Sequence, residues 1–314
     1  FWLKFCASSL GAVHRPAYRA FASMKAQKDQ KDDEEIKRVE IDALVILQIM
    51  KHCRQHVPQA VTGQLLGLDV DETLQVTHCF GYVQKNSEEN VQDDGEQYQI
   101  EMLRRLREVN VDSNTVGWYQ TTHLGQFFSD TVIETQYLYQ IQIPRTILLV
   151  YDPLQSNIGK PSFKAFRLTP EFVAKHTEAH ENNQSALNDF PSGNMFMEIP
   201  ISISSPVIVE AFLVDWCISD PISTTTQLDT LDVENQAFTE KNVQLLISAL
   251  QDLAEEQNKL QQHERQAARG DKGKGRDRFN RGFASAPRAL DTMILSQQIQ
   301  NYCKQINDFA GDSF

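Results

Sequence analysis

Hydrophobic and polar positions follow two different patterns along the chain, and the pattern changes near residue 235. Between residues 38 and 172, short apolar segments with strand spacing alternate with amphipathic segments with helical spacing. The strand segments are 39–41, 64–68, 74–83, 116–119, 146–151 and 162–168. The helical segments are 44–56, 98–109, 129–140 and one that begins at Pro170. This mixture predicts an α/β (α+β) domain, a mixed sheet flanked by helices.

Two further segments follow before the pattern changes. Residues 197–203 predict a late strand that returns to the sheet, and residues 207–217 predict an apolar helix. Asp152-Pro153 predicts a turn between two strands. We therefore expect a disordered tail over 1–37, a domain over 38–172, an extension over 173–234, and a helical region over 235–314 with a basic linker at 265–288.

The C-terminal region carries apolar residues at alternating three- and four-residue steps in two helical segments. This spacing is that of an a/d heptad seam. Two such helices form a thin core, so we expect them to bind partner helices in a multi-subunit bundle. The predicted partner-binding residues are Val243, Leu246, Leu250, Leu253, Leu260, Leu295, Ile299, Tyr302, Ile306 and Phe309.

Composition narrows the function classes. The net charge of −12 disfavours general nucleic-acid binding, and no apolar run is long enough to span a membrane. Five scattered cysteines without C-x-x-C favour a reducing compartment, and we expect the cytoplasm. Residues 1–28 hold five basic and no acidic residues, as in a mitochondrial transit peptide, but the preferred interpretation of 1–23 is a disordered tail or a segment foreign to the natural product.

The most informative stretch is Val-Gly-Trp-Tyr-Gln-Thr-Thr-His at 116–123. Ser129 and Thr135-Gln136 follow it, and Gly63-Gln64-Leu65-Leu66-Gly67 precedes it. Together these motifs resemble the MPN (JAMM) domain family of zinc isopeptidases and their inactive relatives. The resemblance covers residues 38–172 and implies the MPN fold.

The resemblance also implies where a zinc site would lie. Gln120 and Thr122 stand at the two histidine ligands, Val132 at the aspartate and Ala60 at the general-base glutamate. Restoring the family's loop spacing puts Ile133 at the aspartate instead. Neutral amides and hydroxyls are weak zinc ligands, and Val and Ala provide none. We therefore expect no metal, no cofactor and no catalysis; an active isopeptidase with a rebuilt site is the alternative.

Other histidines are weaker candidates for a metal site. His123 lies beside the expected site, but one imidazole does not hold a metal. His52/His56 and His176/His180 have the i,i+4 spacing of helical zinc ligands without the glutamate of H-E-x-x-H. We expect both pairs on solvated helix faces.

Motifs outside the zinc positions sharpen the resemblance. The segments 98–102, 106–110 and 298–303 resemble an inactive MPN subunit of the eukaryotic translation initiation factor three complex. This implies a scaffold role in assembly, ribosome binding and mRNA recruitment. The implied partners are other subunits of that complex, especially a second MPN subunit, and the small ribosomal subunit. An inactive subunit of the proteasome lid or COP9 signalosome is the alternative.

The segment 265–288 holds eight basic residues, two acidic residues, Phe279 and Phe283. A flexible linker is the preferred interpretation. Weak contact with RNA through charge and stacking is the alternative.

Overall fold

The computed structural model describes residues 36–82, 91–157, 162–182, 195–219, 233–270 and 289–312. The expected tail over 1–35 and residues 271–288 of the basic segment lie outside the described residues. Ile36, assigned to the tail by sequence, is buried, and the Lys37 backbone N–H donates to Glu72 O at 2.9 Å. Order therefore begins before residue 38, because Ile36 has an apolar side chain that the core accommodates.

One mixed sheet of eight strands forms the centre of the first part of the chain. Its order is β7-β6-β5-β4-β2-β3-β1-β8. β4 and β5 run parallel, as do β1 and β8, whereas β2 is antiparallel to both of its neighbours. The strands are β1 (Arg38–Asp42), β2 (Thr62–Val70), β3 (Thr73–Gly81), β4 (Thr115–Thr121), β5 (Ile147–Tyr151), β6 (Phe163–Leu168), β7 (Phe196–Ile199) and β8 (Ile201–Ser204).

The late strand expected at 197–203 is two strands, so that prediction was wrong in its count. β7 lies at one end of the strand order and β8 at the other, and only Pro200 separates them. Proline has no N–H to continue a ladder, which explains the break. Because one residue links the two end strands, the sheet curves until its edges approach each other.

Helices connect the strands and extend beyond them. Asp42 caps the first helix by accepting a hydrogen bond from the Leu44 N–H at 3.0 Å. The described residues form α1 (Ala43–His56), α2 (Val91–Glu108), α3 (Asp130–Gln142), α4 (Pro153–Asn157), α5 (Pro170–Asn182), α6 (Val207–Ser219), α7 (Val233–Gly270) and α8 (Ala289–Asp312).

Two predictions about connecting segments need correction. The turn expected at Asp152-Pro153 is the start of the short helix α4, and Asp152 Oδ1 caps it by accepting from the Leu154 N–H at 3.0 Å. The linker expected from residue 265 begins later, because α7 continues to Gly270. Arg265, Gln266, Ala267 and Ala268 favour helix, whereas Gly270 is a residue type that ends one.

The chain divides into two compact units. The first consists of residues up to 127, 131–167 and 197–228; the second consists of 128–130, 168–196 and 229–314. The predicted extension over 173–234 is therefore divided between the units, because β8 pairs with β1 inside the sheet.

Each unit has its own buried residues. In the first, β5 is buried along its whole length and packs with Val39, Ile49 and Leu65 in the main core. In the second, Phe172 of α5, Ala249 of α7 and Tyr302 of α8 are buried. Helix α7 packs against α8.

Candidate functional site

The structure brings three of the four predicted site positions to one end of β2 and β4. Thr62 lies opposite Gln120 in the antiparallel pair. The Val61 N–H donates to Thr121 Oγ1 at 2.7 Å, and the Thr121 N–H donates to Val61 O at 2.9 Å. These bonds place Ala60 beside Thr122, as the resemblance implies.

The side chains at these positions have no charge to offer a cation. Thr122 is buried, its N–H donates to Tyr151 O at 2.8 Å, and its hydroxyl oxygen has no hydrogen-bond partner among the described residues. Gln120 is half-buried and Ala60 is exposed. A zinc dication needs thiolate, imidazole or carboxylate donors, which this set lacks.

The fourth predicted position lies in the first turn of α3. Val132 is 4% exposed and its neighbour Ile133 is fully buried. Both are packed as ordinary apolar core residues, so either choice of loop spacing gives an apolar side chain. Neither residue can supply the missing carboxylate.

His123 joins two loops at this end of the sheet. Its Nε2 lies 2.9 Å from Pro58 O. A carbonyl oxygen only accepts, so Nε2 carries the proton and donates. This bond connects the loop after β4 to the loop that carries Ala60, and it gives His123 a structural role.

Asp152 is a buried carboxylate whose sequence context predicted only a turn. Its Oδ2 accepts from the Gly125 N–H at 3.1 Å, and its Oδ1 caps α4. Burial raises the pKa of Asp152, and the backbone N–H groups of Leu154 and Gly125 offset part of that rise. An aspartate directly after a buried strand and before proline was the available signal for a helix cap.

Within the described ranges, no group of three or more His, Cys, Asp or Glu side chains is placed to hold a metal ion. The residues present therefore do not fit the zinc of the isopeptidases. In the same ranges, no helix is both long and apolar enough to cross a membrane.

The two histidine pairs differ from the solvated faces that we expected. His176 is buried and its ring lies 5.5 Å from that of Phe172, while the side chain of His180 is outside the described residues. His52 is half-buried, and its Nδ1 lies 2.8 Å from Tyr119 Oη. The expectation was wrong for His176 and His52 because each has an aromatic partner.

The predicted seam of α7 divides between two faces of the helix. Leu246, Leu253 and Leu260 are half-buried and lie on the side of buried Ala249. Val243 and Leu250 are exposed and share another face with Ile247, which the heptad count missed. We call Val243, Ile247 and Leu250 the outer stripe of α7.

On helix α8 the predicted residues mostly face inward. Tyr302 is 1% exposed, and Leu295, Ile299 and Ile306 are half-buried. The side chain of Phe309 lies outside the described residues. Most of the α8 seam is therefore covered within the chain, and the outer stripe of α7 is not.

A second exposed apolar surface lies on α6 in the first unit. Ile208 is 83% exposed, and Phe212 and Trp216 form an edge-to-face pair with ring centres 6.0 Å apart. Such a concentration of exposed apolar side chains marks an interaction surface. The exposed large residues of this helix are Val207, Ile208, Phe212, Val214, Trp216 and Ile218.

Comparisons with protein families agree with the two parts of the chain. The JAB1/Mov34/MPN/PAD-1 ubiquitin protease family model matches residues 34–145. The model for the C-terminal region of eIF3h matches residues 156–282. The described sheet and the outer stripe of α7 fall within these matches.

Similar proteins span almost the whole chain, and all of them are eIF3h proteins of eukaryotic translation initiation factor 3. That of Arabidopsis thaliana is 35% identical over 313 residues, covering 91% of this chain and 93% of that protein. That of Dictyostelium discoideum is 36% identical, with 88% and 91% covered. That of Nematostella vectensis is 31% identical, again with 88% and 91% covered.

Proposed function

The chain belongs to the eIF3h family of eukaryotic translation initiation factor 3 subunits, and from this we propose that it is a non-catalytic scaffold subunit of that initiation factor complex. In this role it supports complex assembly, ribosome binding and mRNA recruitment in the cytoplasm. The observation that carries the proposal is the donor set at the end of β4. Gln120, Thr122, Val132 and Ala60 offer a cation no imidazole and no carboxylate.

The absence of catalysis follows from what metal-dependent hydrolysis requires. A catalytic zinc needs three protein ligands and an open position for water, and a nearby base removes the water's proton. Burial of Val132 and Ile133 leaves no carboxylate at that position, and Ala60 cannot act as a base. Asp152 is already engaged by two backbone N–H groups, so it is held as a cap.

The surface for a second MPN subunit is α6 together with the exposed side of α1. β1 and β8 are parallel neighbours with Asp42 opposite Ser204, so α1 and α6 both start at the same edge of the sheet. Leu44 and Leu47 of α1 are each more than 40% exposed. Burying these residues with the apolar side chains of α6 would remove a large area from water at about 25 cal/mol per Å².

The surface for other subunits is the outer stripe of α7. One apolar stripe packs on α8 and a second faces away, which suits a helix in the middle of a bundle. Polar residues Glu240, Gln244 and Gln251 flank the stripe and define its border. A partner helix that presents its own apolar stripe would cover Val243, Ile247 and Leu250.

The ribosome-binding part of the proposal rests on the basic segment 265–288. Its eight basic residues can add salt-sensitive affinity for the RNA of the small ribosomal subunit without sequence specificity. A variant with four of these residues changed to glutamine should bind 40S subunits less tightly at low salt. Equal binding by variant and native protein would remove this element and leave the scaffold role standing.

The second candidate function is an active ubiquitin isopeptidase, favoured by the match to a ubiquitin protease family over 34–145. Purified protein incubated with ubiquitin chains, with and without a chelator, separates the two functions. We expect no cleavage under either condition. Chelator-sensitive cleavage that survives further purification would overturn the non-catalytic proposal.

Membership of the complex is tested by purifying the tagged full-length chain from cells. We expect the other initiation factor 3 subunits in stoichiometric amounts. Recovery of proteasome-lid or signalosome subunits in their place would contradict the proposal and favour the alternative assembly.

A further inference from the structure

Two imidazoles lie side by side on the last turns of α1, outside the degenerate cleft. His52 and His56 are four residues apart, so they project from the same side of the helix. Their ring centres are 4.8 Å apart and their planes make an angle of 77°. Gly81 makes room for the first ring, since a Cβ at that residue would lie 2.3 Å from His52 Cε1.

The Nδ1 atom of each ring already has a partner. His56 Nδ1 lies 3.0 Å from the backbone oxygen of His52, and His52 Nδ1 lies 2.8 Å from Tyr119 Oη. Because a carbonyl only accepts, His56 carries its proton on Nδ1 and keeps the lone pair on Nε2. Metal-binding histidines show this arrangement, with one nitrogen oriented by a hydrogen bond and the other on the metal.

The Nε2 atoms of the pair remain available. Among the described residues, neither makes a hydrogen bond, and neither is among the polar atoms that are buried without a partner. Burial and the neighbouring His56 both lower the pKa of His52, so its ring is neutral at pH 7 and can act as a ligand.

The separation of the rings fits a shared ion. A metal–nitrogen bond of about 2.1 Å puts the metal about 3.2 Å from each ring centre. A tetrahedral angle between two such ligands then places the ring centres about 5.2 Å apart. The observed 4.8 Å is close to this value and needs only a small closure of the angle.

We propose that His52 and His56 together bind one divalent copper, nickel or zinc ion on the surface of α1, with water filling the other coordination positions. The described residues offer no third His, Cys, Asp or Glu ligand, so the ion exchanges readily. Copper binds most tightly, as imidazole sites generally show. Because it bridges successive turns, the ion holds the end of α1 in helical form and keeps His52 on Tyr119.

The test is a titration of the purified full-length chain with Ni²⁺, Zn²⁺ and Cu²⁺, with Mg²⁺ as the non-binding comparison. We expect His56→Gln to weaken Ni²⁺ binding by at least about tenfold, since one ligand of two is lost. His123→Gln, whose ring lies in the cleft, should bind as the native chain does. With Cu²⁺, electron paramagnetic resonance should show two coordinated nitrogens in the native chain and one in His56→Gln.

Thermal melts provide a second measurement that does not depend on affinity alone. Without metal, His56→Gln should melt like the native chain, and added Ni²⁺ should raise only the native melting temperature. Native-like Ni²⁺ binding by the double variant His52→Gln/His56→Gln would overturn the proposal. Stoichiometric zinc retained by that double variant would instead locate an ion in the cleft, and would contradict the non-catalytic function separately.

Discussion

At the scale of single residues, the amide of Gln136 is a buried group with three hydrogen bonds. Its Oε1 accepts from Trp118 Nε1 at 2.9 Å, and its Nε2 donates to Thr146 O at 3.1 Å and Gln140 Oε1 at 3.2 Å. The side chain therefore fixes α3 to β4 and to the start of β5. Such a network stabilises a fold only while all of its members are satisfied.

Gln136→Leu should lower the free energy of unfolding by about 2–4 kcal/mol, because it leaves the Trp118 N–H and the Thr146 carbonyl buried without partners. Urea denaturation followed by tryptophan fluorescence measures the change. Gln142→Leu, at an exposed position of the same helix, should change it by less than about 0.5 kcal/mol. Equal effects of the two substitutions would contradict the role of this amide.

His52 makes the stability of the first unit depend on pH. Burial and the neighbouring His56 lower the pKa of His52 below its unfolded value of about 6.5. The unfolded chain thus binds the proton more readily, and stability falls as the pH drops below about 6.5 toward the folded pKa. We expect the native chain to lose more stability than His52→Gln between pH 7.5 and 5.5, measured by urea denaturation. Parallel pH profiles would contradict this.

The positions of the site residues could be predicted from sequence, whereas several of their contacts could not. The V-G-W-Y stretch located Gln120 and Thr122, and the register of β2 with β4 accounts for Ala60 beside them. The bond from His123 to Pro58 joins residues 65 apart in the chain, so no local pattern indicates it. Asp152 was missed because its two N–H donors come from different loops.

At the scale of elements, buried strands were predicted well and the faces of α7 were not. β5 was evident because five consecutive apolar residues leave no polar face. A heptad count treats a helix as having one apolar stripe, but α7 has two, and their residues interleave at three- and four-residue steps. Only packing against α8 shows that Leu246 faces inward and Leu250 outward.

The two faces of α7 should respond differently to substitution. Ile247→Asp with Leu250→Asp should release the chain from its complex while leaving its own unfolding transition almost unchanged, because both side chains are exposed. Ala249→Asp should instead destabilise the isolated chain, since it buries a charge. Co-purification and thermal melts measure the two effects.

Ser248→Asp, at an exposed polar position of α7, is the matched control and should bind normally. Full recovery of the complex with the Ile247/Leu250 double variant would mean that the outer stripe is not covered by a partner.

At the scale of the whole molecule, the two exposed apolar surfaces belong to different units. α6 lies in the first unit and the outer stripe of α7 in the second. Separate surfaces allow one chain to bind two kinds of partner at once, which is what an assembly subunit requires. Their effects on binding should therefore be separable by mutation.

Phe212→Asp with Trp216→Asp should abolish association with the second MPN subunit, because the pair forms the aromatic centre of the α6 surface. Mixing purified subunits and measuring their complex by analytical ultracentrifugation checks this directly. Asp215→Asn, a charge change on the same exposed helix, should associate as the native chain does. Undiminished association of the aromatic double variant would place the partner elsewhere.

The position of Pro200 between the two end strands has a consequence for biosynthesis. β1 has β3 on one side and β8 on the other, yet more than 150 residues separate β1 from β8 in the chain. During translation, β1 must therefore wait for its second neighbour until residue 204 has left the ribosomal exit tunnel. A nascent chain stalled before that point presents an open strand to whatever chaperone or sister polypeptide is nearby. Timely arrival of the last strand, rather than early pairing, sets when this protein becomes safe to assemble.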